Sequence, residues 1–230
     1  MIQINIYQGN DLVIPDADIN IIIDVVRAFT VTHYAFIRGA KEIMLVPTTE
    51  DAFRLKREYP ESLLAGETNG LPINGFDLDN SPVNISDSIL AGKTIIQKTT
   101  NGVKAALNSL NAETILVTGF SNANATIAYI SKLYKKNSVK IINLIASHPS
   151  SDEDMACAEY IKSMLLHGQN KTEETQRRIL NSSAVEKFLD TTIREFDPDD
   201  IEYCIKPLAP EFVMLVTLHN IPTIQKVLLY

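Results

Sequence analysis

The chain has 230 residues, 45% of them hydrophobic and 21% charged, and a formal net charge of −7. That composition supports a sizeable core and excludes extensive disorder. The acidic balance and the lack of any long Lys/Arg run argue against sequence-independent nucleic-acid binding, which needs a basic face, yet a few local donors can still hold a small anion. Residues 3–7 alternate like a strand. Residues 19–23 are an apolar, β-branched run ending at Asp24, and a helix is expected over 27–38 with Gly39 as its stop. Residues 42–46 read as a strand. Thr49 opens a helix through Tyr59, with Glu50 and Asp51 in the turn where negative charge is favoured. A short strand is expected at 62–65.

Residues 66–88 are dense in Gly, Pro, Asn, Asp and Ser, and the stretch exceeds the ~12–15 residues beyond which loops in compact domains are usually functional or disordered. Its embedded Phe76, Leu78 and Val83 point to an ordered loop. Strands are then expected at 94–97, 114–117 and 140–146, and helices at 101–110, 122–135 and 151–165. One or two polar helices fill 171–190, and a late strand covers 213–218. Such alternation implies an α/β fold, a largely parallel sheet with helices on both faces. It is read as a single domain over 1–230 that could contain two closely packed subdomains.

The first residues, MIQINIYQGND, lack the pattern of an export signal. The longest apolar stretches, such as 19–26, are too short for a bilayer. A cytoplasmic protein with no membrane partner is expected, with Cys157 and Cys204 as free thiols. A homodimer is the prior expectation for such a protein.

Ligands of open parallel sheets sit beyond the carboxyl ends of the strands. Five polar clusters fall there: Asp24 with Arg27, Glu67, Thr99 to Gly102, Ser121 with Asn122 and Asn124, and His148 to Asp154. Arg27, Thr and Asn side chains and helix-opening amides suit a phosphate ester. Asp24, Glu67 and Asp77 could supply the carboxylates that Mg²⁺ takes alongside water and substrate. Each has a plainer reading as well. Asp24 could cap the next helix, Asp77 and Asp79 could be turn residues, and Asp152, Glu153 and Asp154 could be first-turn charges. His33, His148, His167 and His219 show no zinc spacing, and His148 reads as a loop residue. There is no P-loop, no G-x-S-x-G elbow and no D-x-D-x-T pattern.

Several segments occur together in order: Asp24-Val25-Val26-Arg27-Ala28, Gly39-Ala40-Lys41-Glu42-Ile43, Ala65-Gly66-Glu67, and Gly75-Phe76-Asp77-Leu78 with Asn80-Ser81-Pro82. Thr99-Thr100-Asn101-Gly102, Ser121-Asn122-Ala123, and Glu153-Asp154 with Cys157-Ala158 follow. In this the chain resembles the 2-phosphosulfolactate phosphatase family, over about residues 20 to 165 and in its total length. The resemblance implies the family's α/β fold, Mg²⁺ dependence, and hydrolysis of 2-phosphosulfolactate to sulfolactate and phosphate. In some organisms that step belongs to coenzyme M biosynthesis, in others to making sulfolactate itself.

Taken together, these readings give Asp24, Arg27 and Asp77 as candidate catalytic groups and Asp24, Glu67 and Asp77 as candidate metal ligands. Thr30, Asn80, Ser81, Thr100, Asn101, Gly102, Ser121 and Asn124 are the candidates for holding the substrate. The chain also departs from the family. Phe29, Val31 and His33 interrupt its usual run of small hydroxyl residues, Val103 follows Gly102 where a Thr is usual, and Ala146 to Asp152 replace a glycine-rich loop. Pro149 has no N–H to give an anion, so the departure bears on the sulfonate or carboxylate end of the substrate. The alternatives are a diverged phosphatase for another 2-phospho-hydroxy acid and a non-catalytic anion binder.

Overall fold

The computed structural model describes all residues except 1, 136–138, 191, 194, 210 and 230. In chain order the first elements are β1 (Gln3–Gln8), β2 (Ala17–Ile23), α1 (Ala28–Ile37), β3 (Glu42–Leu45), α2 (Thr49–Glu58), β4 (Leu63–Thr68), β5 (Leu71–Pro72) and α3 (Pro82–Asp87). Then come β6 (Thr94–Lys98), α4 (Gly102–Leu107), β7 (Ala112–Thr118), α5 (Ala123–Lys135), β8 (Ile141–Ala146) and α6 (Asp152–His167). The last are α7 (Thr172–Leu180), α8 (Ser183–Leu189), α9 (Asp199–Ile205), β9 (Phe212–Leu218) and β10 (Pro222–Leu228). The expected strands and the longer helices are present. Residues 171–190 resolve into two helices, and β5, α3, α9 and β10 are additions to the expected set.

One ten-stranded sheet runs in the order β1-β8-β2-β7-β9-β10-β3-β6-β4-β5. The first four strands are mutually parallel, as are β3, β6 and β4. Between these blocks sits the β9–β10 hairpin, antiparallel to β7 on one side and to β3 on the other. Along the sheet the two blocks therefore point in opposite directions. Five steps separate β2 from β6, and at roughly 20–25° of twist per step the accumulated rotation is about 100–125°. That rotation undoes most of the reversal and lets carboxyl ends from both blocks approach one another.

What fills the resulting concavity is α1, buried from Ala28 through Phe36, a helix with no charged face whose Thr30, Thr32 and His33 find hydrogen-bond partners inside. Its Phe29, Val31 and Phe36 pack with Ile22, Val117 and Ile145 of the first block and with Ile43, Ala65 and Ile95 of the second. Residues from α5 and α6 cover the other face of the first block, and α2 that of the second. Register in the first block has a polar lock. Asn5 Nδ2 donates to Asn143 Oδ1 (3.0 Å) and Asn143 Nδ2 to Asn20 Oδ1 (3.1 Å), linking three residues at one level of β1, β8 and β2. A one-residue slip of any of these strands would turn an amide away from its partners.

Candidate active site

The strand β2 ends at Asp24, whose Oδ1 accepts from Ala28 N (2.8 Å), while Ser147 Oγ lies 3.2 Å from Oδ2. Asp24 thus opens α1, and it also lines a cleft, so both readings of it hold together. Burial pushes its carboxyl up to about 7, with Glu67 and Glu153 adding repulsion and the Ala28 N–H opposing it. Behind it Asp154 is buried, accepting from Val25 N (2.7 Å) and His148 N (2.9 Å). Burial first, then Glu153 and Asp24, hold its carboxyl well above the ordinary carboxylate range. Of the acidic run at 152–154, only Asp152 behaves as an exposed first-turn charge, paired with Arg178 at 2.6 Å. Glu153 and Asp154 are 1% exposed, which corrects the expectation for those two.

Glu67 lies on β4, one residue past Gly66. There a Cβ would come 1.8 Å from the Lys98 carbonyl oxygen, at a φ of +143° that side chains rarely adopt, so glycine lets β4 and β6 close at this point. Thr100 donates to Glu67 through both its N–H and, at 2.9 Å, its hydroxyl; Gly70 N donates to Oε2 at 2.5 Å. The carboxylate is fixed by three donors and still borders the cleft.

Arg27 is held on all sides. Its Nη1 lies 2.6 Å from Asp200 Oδ2, its Nη2 donates to Gly70 O (3.1 Å), and its guanidinium rests 4.9 Å and 5.5 Å from the Phe188 and Phe196 ring centres. Asp200, fully buried, also accepts from Ser81 Oγ (2.6 Å) and Val83 N (3.2 Å). Burial raises its pKa even though Arg27 pulls the other way. Lys187 of α8 projects over the same two rings (5.7 Å and 4.7 Å), and its ammonium is held below its ordinary pKa by burial and by Arg27.

The cleft these groups share has a volume of about 240 Å³. Asp24, Arg27, Glu67 and Lys187 border it, with Asn69, Gly70, Asn80, Thr100, Asn101 and His148. Asn80 Oδ1 is buried with no hydrogen-bond partner among the described residues, the state expected of an amide awaiting a ligand. His148 Nδ1 accepts from Ser151 N at 2.9 Å, which leaves the proton of the neutral ring on Nε2 as a donor.

The structure brings six of the expected residues together around this cleft: Asp24, Arg27, Glu67, Asn80, Thr100 and Asn101. The others lie outside its lining. Asp77 sits at the opposite end of β4, half exposed, accepting from Leu64 N (2.8 Å) with Lys56 Nζ at 3.5 Å; it closes a turn there. Thr30 donates to Val25 O inside the core, and Ser81 positions Asp200. Gly102 serves by having no side chain, since a Cβ would meet Asp24 Oδ2 at 2.6 Å. Ser121 faces His33 Nδ1 (2.9 Å) under a chain segment whose Leu208 N bonds its carbonyl, and Asn124 accepts from Tyr160. Nor are the amides around the start of α4 all free for an anion, because Thr100 N is taken by Glu67 and Val103 N by Thr99 Oγ1. Sequence reasoning missed Lys187, Asp200 and Asn69, and set His148 aside.

A buried carboxylate floor facing two cations and an unpartnered amide is the apparatus of a protein that handles a small anion. The 2-phosphosulpholactate phosphatase family profile matches residues 10–217. A protein of Bacillus subtilis strain 168 described as a probable 2-phosphosulfolactate phosphatase is 52% identical over 229 residues, 98% of this chain and 99% of its own. One of Carboxydothermus hydrogenoformans with the same description is 33% identical and covers 81% of each chain; one of Clostridium acetobutylicum is 35% identical over 67% of this chain and 66% of its own. The chain belongs to the 2-phosphosulfolactate phosphatase family.

Proposed function

We propose that the chain is a Mg²⁺-dependent phosphoric monoester hydrolase that acts on 2-phosphosulfolactate, releasing sulfolactate and phosphate. Kinship supports the hydrolase class; the charge inventory of the cleft is the observation that carries the metal dependence. Two carboxylates, Asp24 and Glu67, face two cations, and one of these, Arg27, is already matched by Asp200. A phosphate dianion entering such a site would meet net negative charge. The donor set fits a hard cation. The repulsion that raises the Asp24 pKa comes in part from Glu67, and Mg²⁺ commonly takes one or two carboxylates, with water and substrate completing its shell.

Among the described residues no group of three His, Cys, Asp or Glu side chains is placed to hold a metal ion, so substrate and water would have to complete the shell. Asp24 and Glu67 would hold the ion, and Asn80 Oδ1 is a further oxygen donor without a partner. When bound, the ion supplies neutralisation of the phosphoryl oxygens and activation of water. The remaining work falls to the chain itself. Arg27, anchored by Asp200, presents its guanidinium edge to the phosphate. Thr100 keeps Glu67 from swinging. Asp24 is kept in place by the Ala28 N–H and by Ser147.

Asp77 has no part in this reading, and neither do Thr30, Ser121 or Asn124. The reaction would place the chain among cytoplasmic enzymes of sulfolactate or coenzyme M biosynthesis. No helix among the described residues is long and apolar enough to cross a membrane. The test is phosphate release from 2-phosphosulfolactate, 2-phospholactate and 2-phosphoglycolate, with Mg²⁺ and with EDTA. Turnover of the sulfonated ester with Mg²⁺ and its loss in chelator are expected. A preference for a non-sulfonated 2-phospho acid would reassign the substrate, and silence on all three would end the enzyme reading.

A further inference from the structure

Lys187 stands apart from the other charges of the cleft. Every other charged side chain bordering it is satisfied by the fold: Arg27 by Asp200 and Gly70 O, Glu67 by Thr100 and Gly70, and Asp24 by the Ala28 N–H and Ser147. Lys187 forms no ion pair among the described residues, although it is half buried in an acid-rich cleft. Its ammonium rests on Phe196 at 4.7 Å and presses on Gly70, lying 2.9 Å from where a Cβ there would stand. The same Gly70 accepts from Arg27 through its carbonyl, so the two cations flank one residue. Two aromatic faces only partly replace the hydration of a buried ammonium.

The helix carrying Lys187 is anchored to the altered loop. Ala184 N donates to Ser151 Oγ (3.1 Å), and Ser151 N in turn fixes His148, which borders the same cavity. The loop and α8 thus reach the cleft as one bonded unit, His148 from the first and Lys187 from the second.

From this arrangement we infer that Lys187 is the specificity residue for the carboxylate next to the phosphoester carbon of the substrate, while Arg27 serves the phosphate. This rests on the anion-binding reading of the cleft but not on turnover. A ligand bearing phosphate and carboxylate on one carbon offers two charges to two cations that both approach Gly70. A plain phosphate ester would leave Lys187 without a partner. An ammonium–carboxylate contact of this partly desolvated kind is a charge-assisted hydrogen bond, so its loss should read as roughly 10- to 100-fold in affinity.

The test compares wild type with Lys187→Met, which keeps the aliphatic stem over the rings, and Lys187→Arg, which keeps the charge. Calorimetric affinities for 3-phosphonopropionate, the non-hydrolysable isostere of 2-phosphoglycolate, and for inorganic phosphate are measured for each, with Mg²⁺ present throughout. Lys187→Met should lose about 10- to 100-fold for the phosphonate and less than about threefold for phosphate, with partial recovery in Lys187→Arg. In turnover, KM for the 2-phospho acid should rise while that for phenyl phosphate stays level. Equal losses for both ligands would make Lys187 a phosphate ligand and overturn the inference, and so would no loss for either. If no ester is hydrolysed but the affinity split is seen, the hydrolase reading falls and the assignment of Lys187 stands.

Discussion

Replacing Asp200 with Asn tests whether Arg27 is built as a fixed anion receptor. The guanidinium is 5% exposed and Asp200 is fully buried, 2.6 Å away. Removing the negative partner leaves a buried positive charge uncompensated, a change that costs about 3–5 kcal/mol. In a chain of this size each kcal/mol moves Tm by about 2–4 °C, so a fall of about 6–20 °C is expected. The Ser81 and Val83 contacts to Asp200 can persist with an amide oxygen, so the charge itself dominates the loss.

Free phosphate should then act differently on the two proteins. Ligand at 100 times its Kd stabilises by about 2.7 kcal/mol, and in Asp200→Asn the unpaired Arg27 should bind phosphate more tightly than wild type, so that phosphate raises the variant's Tm by more. Differential scanning fluorimetry over a phosphate titration reads both effects. A Tm loss under about 2 °C, or identical phosphate shifts in the two proteins, would refute the idea that Asp200 neutralises and positions Arg27.

Three further outcomes follow from the geometry. His33 has its pKa lowered to about 3 by burial and, less, by Lys226. The unfolded chain takes up a proton below about 6.5 that the folded one refuses, so stability is complete above that pH and falls as pH drops towards 3, by about 2 kcal/mol at pH 5. Urea unfolding of wild type and His33→Gln at pH 7 and pH 5 should show this extra acid loss in wild type alone. Gly102→Ala would drive a methyl to 2.6 Å from Asp24 Oδ2 and 2.9 Å from Ala28 Cβ; displacement of the carboxylate should cut turnover by more than about tenfold, with about 1–3 kcal/mol of overpacking cost in thermal unfolding. Asp77→Asn, in contrast, should keep turnover within about twofold, because the side chain only closes the turn at Leu64; a collapse of kcat with Tm intact would return Asp77 to the site.

The strands and long helices were legible because their apolar periods are strong, as in the Ile-rich run of β2 or the capped start of α2. The hairpin partner β10 was not. Its sequence PTIQKVL mixes Pro, Gln and Lys into a half-exposed strand, and nothing local says that it divides two parallel blocks. The largely parallel reading set five polar clusters beyond the carboxyl ends of the strands. That assumption served Asp24, Glu67 and Thr100, which the twist of the sheet brings together, and misplaced Ser121 and Asn124, which the segment around Leu208 roofs over.

Asp200 and Lys187 were invisible for another reason. One sits in an acidic helix start, the other beside Glu186 on a short amphipathic helix, and in both places charge is ordinary. Only their packing on Arg27, Phe188 and Phe196 distinguishes them. Asp77 lies outside the cleft lining, and its sequence context did not reveal this because an aspartate among Asn, Ser and Pro reads equally well as ligand or turn.

The β9–β10 hairpin acts as a keystone. Without residues 212–228, β7 and β3 would each present an unpaired edge, with Leu116 and Val117 on one and Ile43 and Met44 on the other. No other strand joins the half bearing Asp24 to the half bearing Glu67 among the described residues. The placement of those two carboxylates relative to one another therefore depends on a hairpin that lines none of the cleft.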